Sequence, residues 1–177
     1  MIPAFINQDR LPIGRFQCDL AAVESALVHD ARFDSSQARK SLWIEFSAAL
    51  SKFHGIRCKI PAVFLSGSFV TAKIDPDDVD VVFLIDFSTL HSPATFAALG
   101  KLVQMLNSTT KIHAFVIPWY PSGPTTPAQM RVDYFYERGR WDDFWQRDVA
   151  KPDRVPFVRD HAFPRRGYLE VLIDGYH

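Results

Sequence analysis

The segment Phe64-Leu65-Ser66-Gly67-Ser68-Phe69 and the run Asp78-Val79-Asp80-Val81-Val82-Phe83-Leu84-Ile85, with nine residues between Ser68 and Asp78, decide how this chain folds. The second run is rich in Val, Ile and Phe, the composition of a largely buried strand. Between them Lys73–Asp77 is polar and holds Pro76, so it reads as a loop. Alternate residues of a strand share a face, so Asp78 and Asp80 project together. Two neighbouring carboxylates at the end of an apolar strand repel each other. A hard divalent cation, Mg2+ or Mn2+, relieves that repulsion. The Gly67-Ser68 turn adds backbone N–H groups and a hydroxyl beside the same point, a setting suited to phosphate.

Working outward, Ala62–Ser66 is the first core strand and Val79–Asp86 the second, joined closely enough for an antiparallel hairpin. Upstream, Asp34-Ser35-Ser36-Gln37 opens a helix that carries Leu42, Ala49, Leu50 and Phe53 at helical spacing and stops at Gly55. Asp19 caps a shorter helix with Leu20, Val23 and Leu27 on one side. Residues 1–18 read as an extended arm with a turn at Leu11-Pro12-Ile13-Gly14. Downstream, Ser92-Pro93 starts a helix with the stripe Phe96, Leu99, Val103 and Leu106. Lys111–Ile117 is a third strand, Pro118–Pro127 a long loop, 128–149 a helix, Lys151–Arg166 a coil and Tyr168–Ile173 a last strand. The pattern predicts an α+β (mixed α/β) domain over 1–177, a mixed sheet with its helices on one side.

The chain has 177 residues, 47% of them hydrophobic, which is ample for one packed core. Twenty basic and twenty acidic side chains give zero formal charge, so nothing advertises long nucleic-acid or membrane binding. No apolar run is long enough to span a bilayer, and no secretory leader is visible. Cys18 and Cys58 match no zinc spacing and are expected as reduced thiols. A cytoplasmic location is expected.

The Gly67-Ser68 turn followed by Asp78-Val79-Asp80 resembles the signature of the polymerase-β-like nucleotidyltransferase superfamily. More closely, the chain resembles a bacterial family of small, uncharacterised nucleotidyltransferase-like proteins. The resemblance rests on Met1-Ile2-Pro3, Leu11-Pro12-Ile13-Gly14 and the helix start Arg39-Lys40-Ser41-Leu42. It continues through Gly67 to Thr71, Pro76, Asp78 and Asp80, and closes on Arg166-Gly167-Tyr168-Leu169-Glu170-Val171-Leu172-Ile173. It implies Mg2+-dependent transfer of a nucleoside monophosphate from an NTP to a hydroxyl of RNA (for instance tRNA), a protein or a small molecule. Asp78 and Asp80 would be the metal ligands, with Gly67 and Ser68 at the phosphates. By analogy with small bacterial relatives, a toxin–antitoxin or phage-defence role with a protein partner is implied as one setting.

Active members of that superfamily carry a third carboxylate on a later strand, where this chain has Lys111-Ile112-His113-Ala114-Phe115-Val116-Ile117. His113 takes the position as ligand or base, or Asp133 or Glu170 supplies a carboxylate from elsewhere, or the module binds a nucleotide or partner without catalysis. For phosphate, Lys73, Lys101, Lys111 and the pair Arg165-Arg166 are candidates, the arginine pair first because a guanidinium grips phosphate bidentately. The aromatic group Tyr134, Phe135, Tyr136, Trp141, Phe144 and Trp145 reads as packing first and as a base-stacking surface second.

Overall fold

The computed structural model describes residues 2–6, 9–121, 128–147 and 163–176. Five strands, β1 (Gly14–Asp19), β2 (Ala62–Ser66), β3 (Val79–Asp86), β4 (Ile112–Trp119) and β5 (Gly167–Leu172), form one mixed sheet. Its order is β1-β5-β2-β3-β4. Strand β2 runs antiparallel to both β3 and β5, whereas β4 is parallel to β3 and β1 is parallel to β5. The helices are α1 (Leu20–Leu27), α2 (Gln37–Gly55), α3 (Pro93–Thr109) and α4 (Ala128–Gln146). The fold is therefore α+β with a mixed sheet flanked by helices.

Local chemistry sets the helix ends where the sequence puts them. The Asp19 carboxylate accepts from Ala22 N at 2.7 Å. The Ser36 hydroxyl accepts from Arg39 N at 3.1 Å. Ser92 and Thr95 form a reciprocal capping box with Pro93 at the first helical position. Each interaction satisfies an N–H that the helix itself leaves without a partner.

The pleat sends alternate side chains to two cores. Val63, Leu65, Val81 and Phe83 face α1, α2 and α3, and the Phe53 and Phe83 rings lie 4.3 Å apart. Phe64, Val82 and Tyr168 face the other way, against Trp141 and Trp145 of α4. Helices thus cover both faces of the sheet, not one side as the pattern suggested. Helix α4 carries its own large aromatic payload and needs a second apolar surface to bury it.

Two boundaries also differ from expectation. The supposed arm contains β1, an edge strand with Phe16 opposite Leu169 and Cys18 opposite Val171. Its partner lies at the far end of the chain, so no local pattern discloses the pairing. Glycine is required at this junction: a Cβ on Gly167 would lie 2.1 Å from the Pro12 carbonyl oxygen. Strand β4 runs through Pro118 to Trp119, which its edge position tolerates because a proline there need not donate to a neighbour. Residues 122–127 of the expected loop, 148–149 of the expected helix and 151–162 of the expected coil lie outside the described residues. Cys18 and Cys58 are buried free thiols. Among the described residues no helix is long and apolar enough to cross a membrane.

Candidate functional site

The register of three adjacent strands, β2, β3 and the edge strand β4, assembles the site. Ser66 pairs with Asp80 across β2 and β3, and Asp80 pairs with His113 across β3 and β4. Directly paired residues point to the same face, so the Asp80 carboxylate and the His113 imidazole meet on the face that α4 partly covers. Asp80 Oδ1 lies 3.2 Å from His113 Nδ1, and Asp78 Oδ2 lies 3.5 Å from the same nitrogen. One ligating atom from each of Asp78, Asp80 and His113 lies within 4.8 Å of the others.

Gly67 presses its backbone against this cluster. Its φ is +72°, and a Cβ there would stand 1.9 Å from Asp80 Oδ2. Any side chain would displace the carboxylate, and the left-handed backbone would be strained besides. The hydroxyls of Ser66 and Ser68 are buried and lack hydrogen-bond partners among the described residues. Unpaired buried hydroxyls are uncommon in folded proteins.

Electrostatically the cluster is uncomfortable as a set of bare side chains. Burial, and then the neighbouring Asp78 charge, push the Asp80 carboxyl above the usual carboxylate range. The hydrogen bond from His113 and the Arg166 charge oppose this only in part. The donor set fits a divalent cation: two hard carboxylates suit Mg2+ or Mn2+, and an imidazole nitrogen tilts the preference toward Mn2+.

Beside Gly67 a groove of about 500 Å3 is lined by Arg10, Ser68, Lys73 and Arg166, with Asp9 as its acid. Three of the residues expected at phosphate, Ser68, Lys73 and Arg166, therefore meet in one place. Lys73 also forms an ion pair with Asp77 at 2.5 Å, and Arg166 Nε donates to the Trp145 carbonyl at 3.3 Å. Arg165 parts from Arg166 and lines an adjoining groove with Arg10 and Asp9. Lys101 lies on α3, whose buried side chains pack on the opposite face of the sheet. Lys111 is exposed just before β4, its backbone N–H donating to Glu45 at 2.9 Å.

Sequence reasoning missed two contributors. The first is the chain just before the Leu11-Pro12-Ile13-Gly14 turn: Ala72 N donates to the Asp9 carbonyl at 2.8 Å, and Arg10 bridges to Thr71. That turn belonged to the resemblance, which was the available signal. The second is Arg39, fully buried, whose guanidinium donates to the carbonyls of Leu27 and Phe69 at 2.9 and 2.8 Å. It also donates to those of Thr71 and Lys73 at 2.7 and 2.6 Å. It lies over the Phe33 ring at 3.8 Å. Burial pushes its pKa down to about 10, so it stays charged at neutral pH. Arg39 thus ties down the loop that follows Gly67-Ser68, the same loop whose residues line the groove.

The alternative carboxylates are elsewhere. Asp133 is held by Gln129 on α4 at 2.8 Å. Glu170 pairs with Arg15 at 3.1 Å and accepts from the Tyr176 hydroxyl. His113 alone occupies the third position among the described residues. Within the aromatic group, Tyr134, Trp141 and Trp145 are buried packing residues, while Phe135, Tyr136 and Phe144 remain exposed.

Fold and site together define a small mixed-sheet α+β protein in which two carboxylates at the start of β3 meet an imidazole beside a glycine turn. Over residues 3–171 the chain matches DUF6932, a family of unknown function, and it belongs to that family. Neither the curated proteins nor the solved structures yield a match.

Proposed function

We propose that this protein is a divalent-metal-dependent nucleotidyltransferase that moves a nucleoside monophosphate from an NTP to a hydroxyl acceptor. The observation that carries the reading is the convergence of Asp78, Asp80 and His113 on one point, with the Gly67 backbone packed against Asp80. In this reading Asp78, Asp80 and His113 hold the cation. Bound there, it would neutralise phosphate charge and make the attacking hydroxyl more acidic. The chain's own part is positioning and charge, which is most of what nucleotidyl transfer requires. Gly67 lets the phosphates approach the backbone, and the Ser68 hydroxyl donates to them. Arg10, Lys73 and Arg166 offset the triphosphate charge. The acceptor oxygen attacks the α-phosphorus, the bond to the bridging oxygen breaks and pyrophosphate leaves. The hydroxyl proton passes to the Asp80–His113 pair.

The test is incubation of the full chain with each α-labelled NTP, Mg2+ or Mn2+, and cell extract as the source of acceptor. Label transfer by wild type and a loss of roughly a thousandfold in Asp78→Ala are expected, the scale of removing one charge-stabilising group. No transfer by wild type, or equal transfer by the variant, rejects the reading. His113 in place of a third carboxylate favours one competitor, a module that binds nucleotide or a protein partner without turnover. That competitor predicts stoichiometric nucleotide binding with no pyrophosphate release. A cytoplasmic location, and a place in a toxin–antitoxin or phage-defence pair, are compatible settings and follow from the resemblance alone.

A further inference from the structure

A second cavity, of about 550 Å3, opens where the first half of α4 crosses β1 and β5, and it shares no lining residue with the groove beside Gly67. Three arginines, Arg15, Arg131 and Arg138, and the rings of Trp119, Tyr134 and Phe135 form much of its wall. The carboxylate in that wall is Glu170, only 4% exposed. It is already engaged, by Arg15 Nε at 3.1 Å, by Arg138 Nη2 at 3.8 Å and by the Tyr176 hydroxyl. Three guanidinium groups against one carboxylate leave an excess of two positive charges in the lining.

The arrangement is pre-organised. Glu170 fixes two guanidiniums in place, so a ligand would not have to order them. Capacity for a ligand remains: Arg138 Nε is buried and donates to nothing among the described residues. Arg131 has no ion-pair partner there either, and Phe135 leaves 66% of its surface exposed. Guanidinium forks match phosphate and carboxylate, and aromatic faces match a flat ring. The volume is within the usual range for small-molecule sites.

We propose that this cavity binds a small organic anion with a flat aromatic body, about the size of a mononucleotide. The site is independent of the Asp78–Asp80–His113 cluster and of the activity proposed for it. Calorimetric titration of the full chain in EDTA tests it, with the four nucleoside monophosphates, 2-naphthoate and inorganic phosphate as probes. A mononucleotide or the naphthoate should bind, and inorganic phosphate should bind at least tenfold more weakly (roughly the worth of one stacked ring). Arg131→Glu and Phe135→Ala, both at exposed positions, should each weaken the best ligand roughly tenfold, the scale of removing one favourable charge or one stacking ring. Asp78→Ala should leave that affinity unchanged. Three results overturn the proposal: no aromatic anion binding at millimolar concentration, inorganic phosphate binding as tightly as the best aromatic anion, or affinity that falls in Asp78→Ala and not in Arg131→Glu. None of these bears on label transfer, so the two proposals fail separately.

Discussion

Two acids on the α4 side of one sheet have opposite surroundings. Glu170 on β5 is nearly sealed and lies between two guanidiniums and a tyrosine hydroxyl. Asp80 on β3 has another acid two residues away, an imidazole across the strand and only the more distant charge of Arg166 in compensation. Burial penalises any charge, and what separates the two is whether the protein itself supplies the counter-charge. Glu170 is a finished structural ion pair. Asp78 and Asp80, at the start of β3, are offset only in part, by His113 and the charge of Arg166, and the proposed cation would supply the remainder.

Removing each acid should therefore move stability in opposite directions. Glu170→Ala strands Arg15 and Arg138 and deprives the Tyr176 hydroxyl of its acceptor. Breaking a fully buried pair costs about 3–5 kcal/mol. Arg15 and Arg138 keep 34% and 26% of their side-chain surface in water, so a loss of roughly 2 kcal/mol is expected after allowing for that screening. Urea unfolding in EDTA measures it. A loss near zero would mean the Glu170 ion pair is not the structural element it is taken for.

Asp80→Asn is the counterpart. The amide keeps an oxygen to accept from His113 and ends the repulsion with Asp78. In EDTA the variant should gain stability, by roughly 0.5 kcal/mol, the scale of relieving a like-charge neighbour. If the proposed cation binds, Mn2+ should raise the melting temperature of the wild type and not of this variant, because a ligand of the folded state stabilises it. A destabilised variant that still responds to Mn2+ would erase the contrast between the two acids.

The carboxylate half of the site was legible because it is local. Gly67, Ser68, Asp78 and Asp80 lie on one hairpin, and strand periodicity alone puts the two acids on one face. The identity of the third member was legible only as a question, because three residues competed and periodicity does not give strand order. The β3–β4 register sets His113, and neither Asp133 nor Glu170, opposite Asp80; its role there belongs to the proposal. What was illegible is non-local. Gly14–Asp19 looks like arm until its partner at Gly167–Leu172 is known, and Arg39, quoted only as part of a helix start, turns out to be buried against four backbone carbonyls. The second helical layer was missed for a related reason. Helix α4 has apolar residues all round, so its sequence does not declare which face is buried.

The finest test of the contrast is the pH dependence of the metal-free protein. The Asp80 carboxyl is pushed above its unfolded range by burial and by Asp78. The folded state therefore binds this proton more tightly than the unfolded chain does. Stability from it is complete below the unfolded carboxylate pKa, near 4, and is lost as pH rises through the higher folded pKa. One group can contribute a slope of at most about 1.4 kcal/mol per pH unit, and an incomplete shift gives a fraction of that. Stability of wild type in EDTA, less that of Asp80→Asn, should thus fall as pH rises from 4 to neutrality. A difference curve for Asp80 that rises with pH would mean that its charge is favoured by the protein alone, and the electrostatic case for a cation beside Asp78 would go with it.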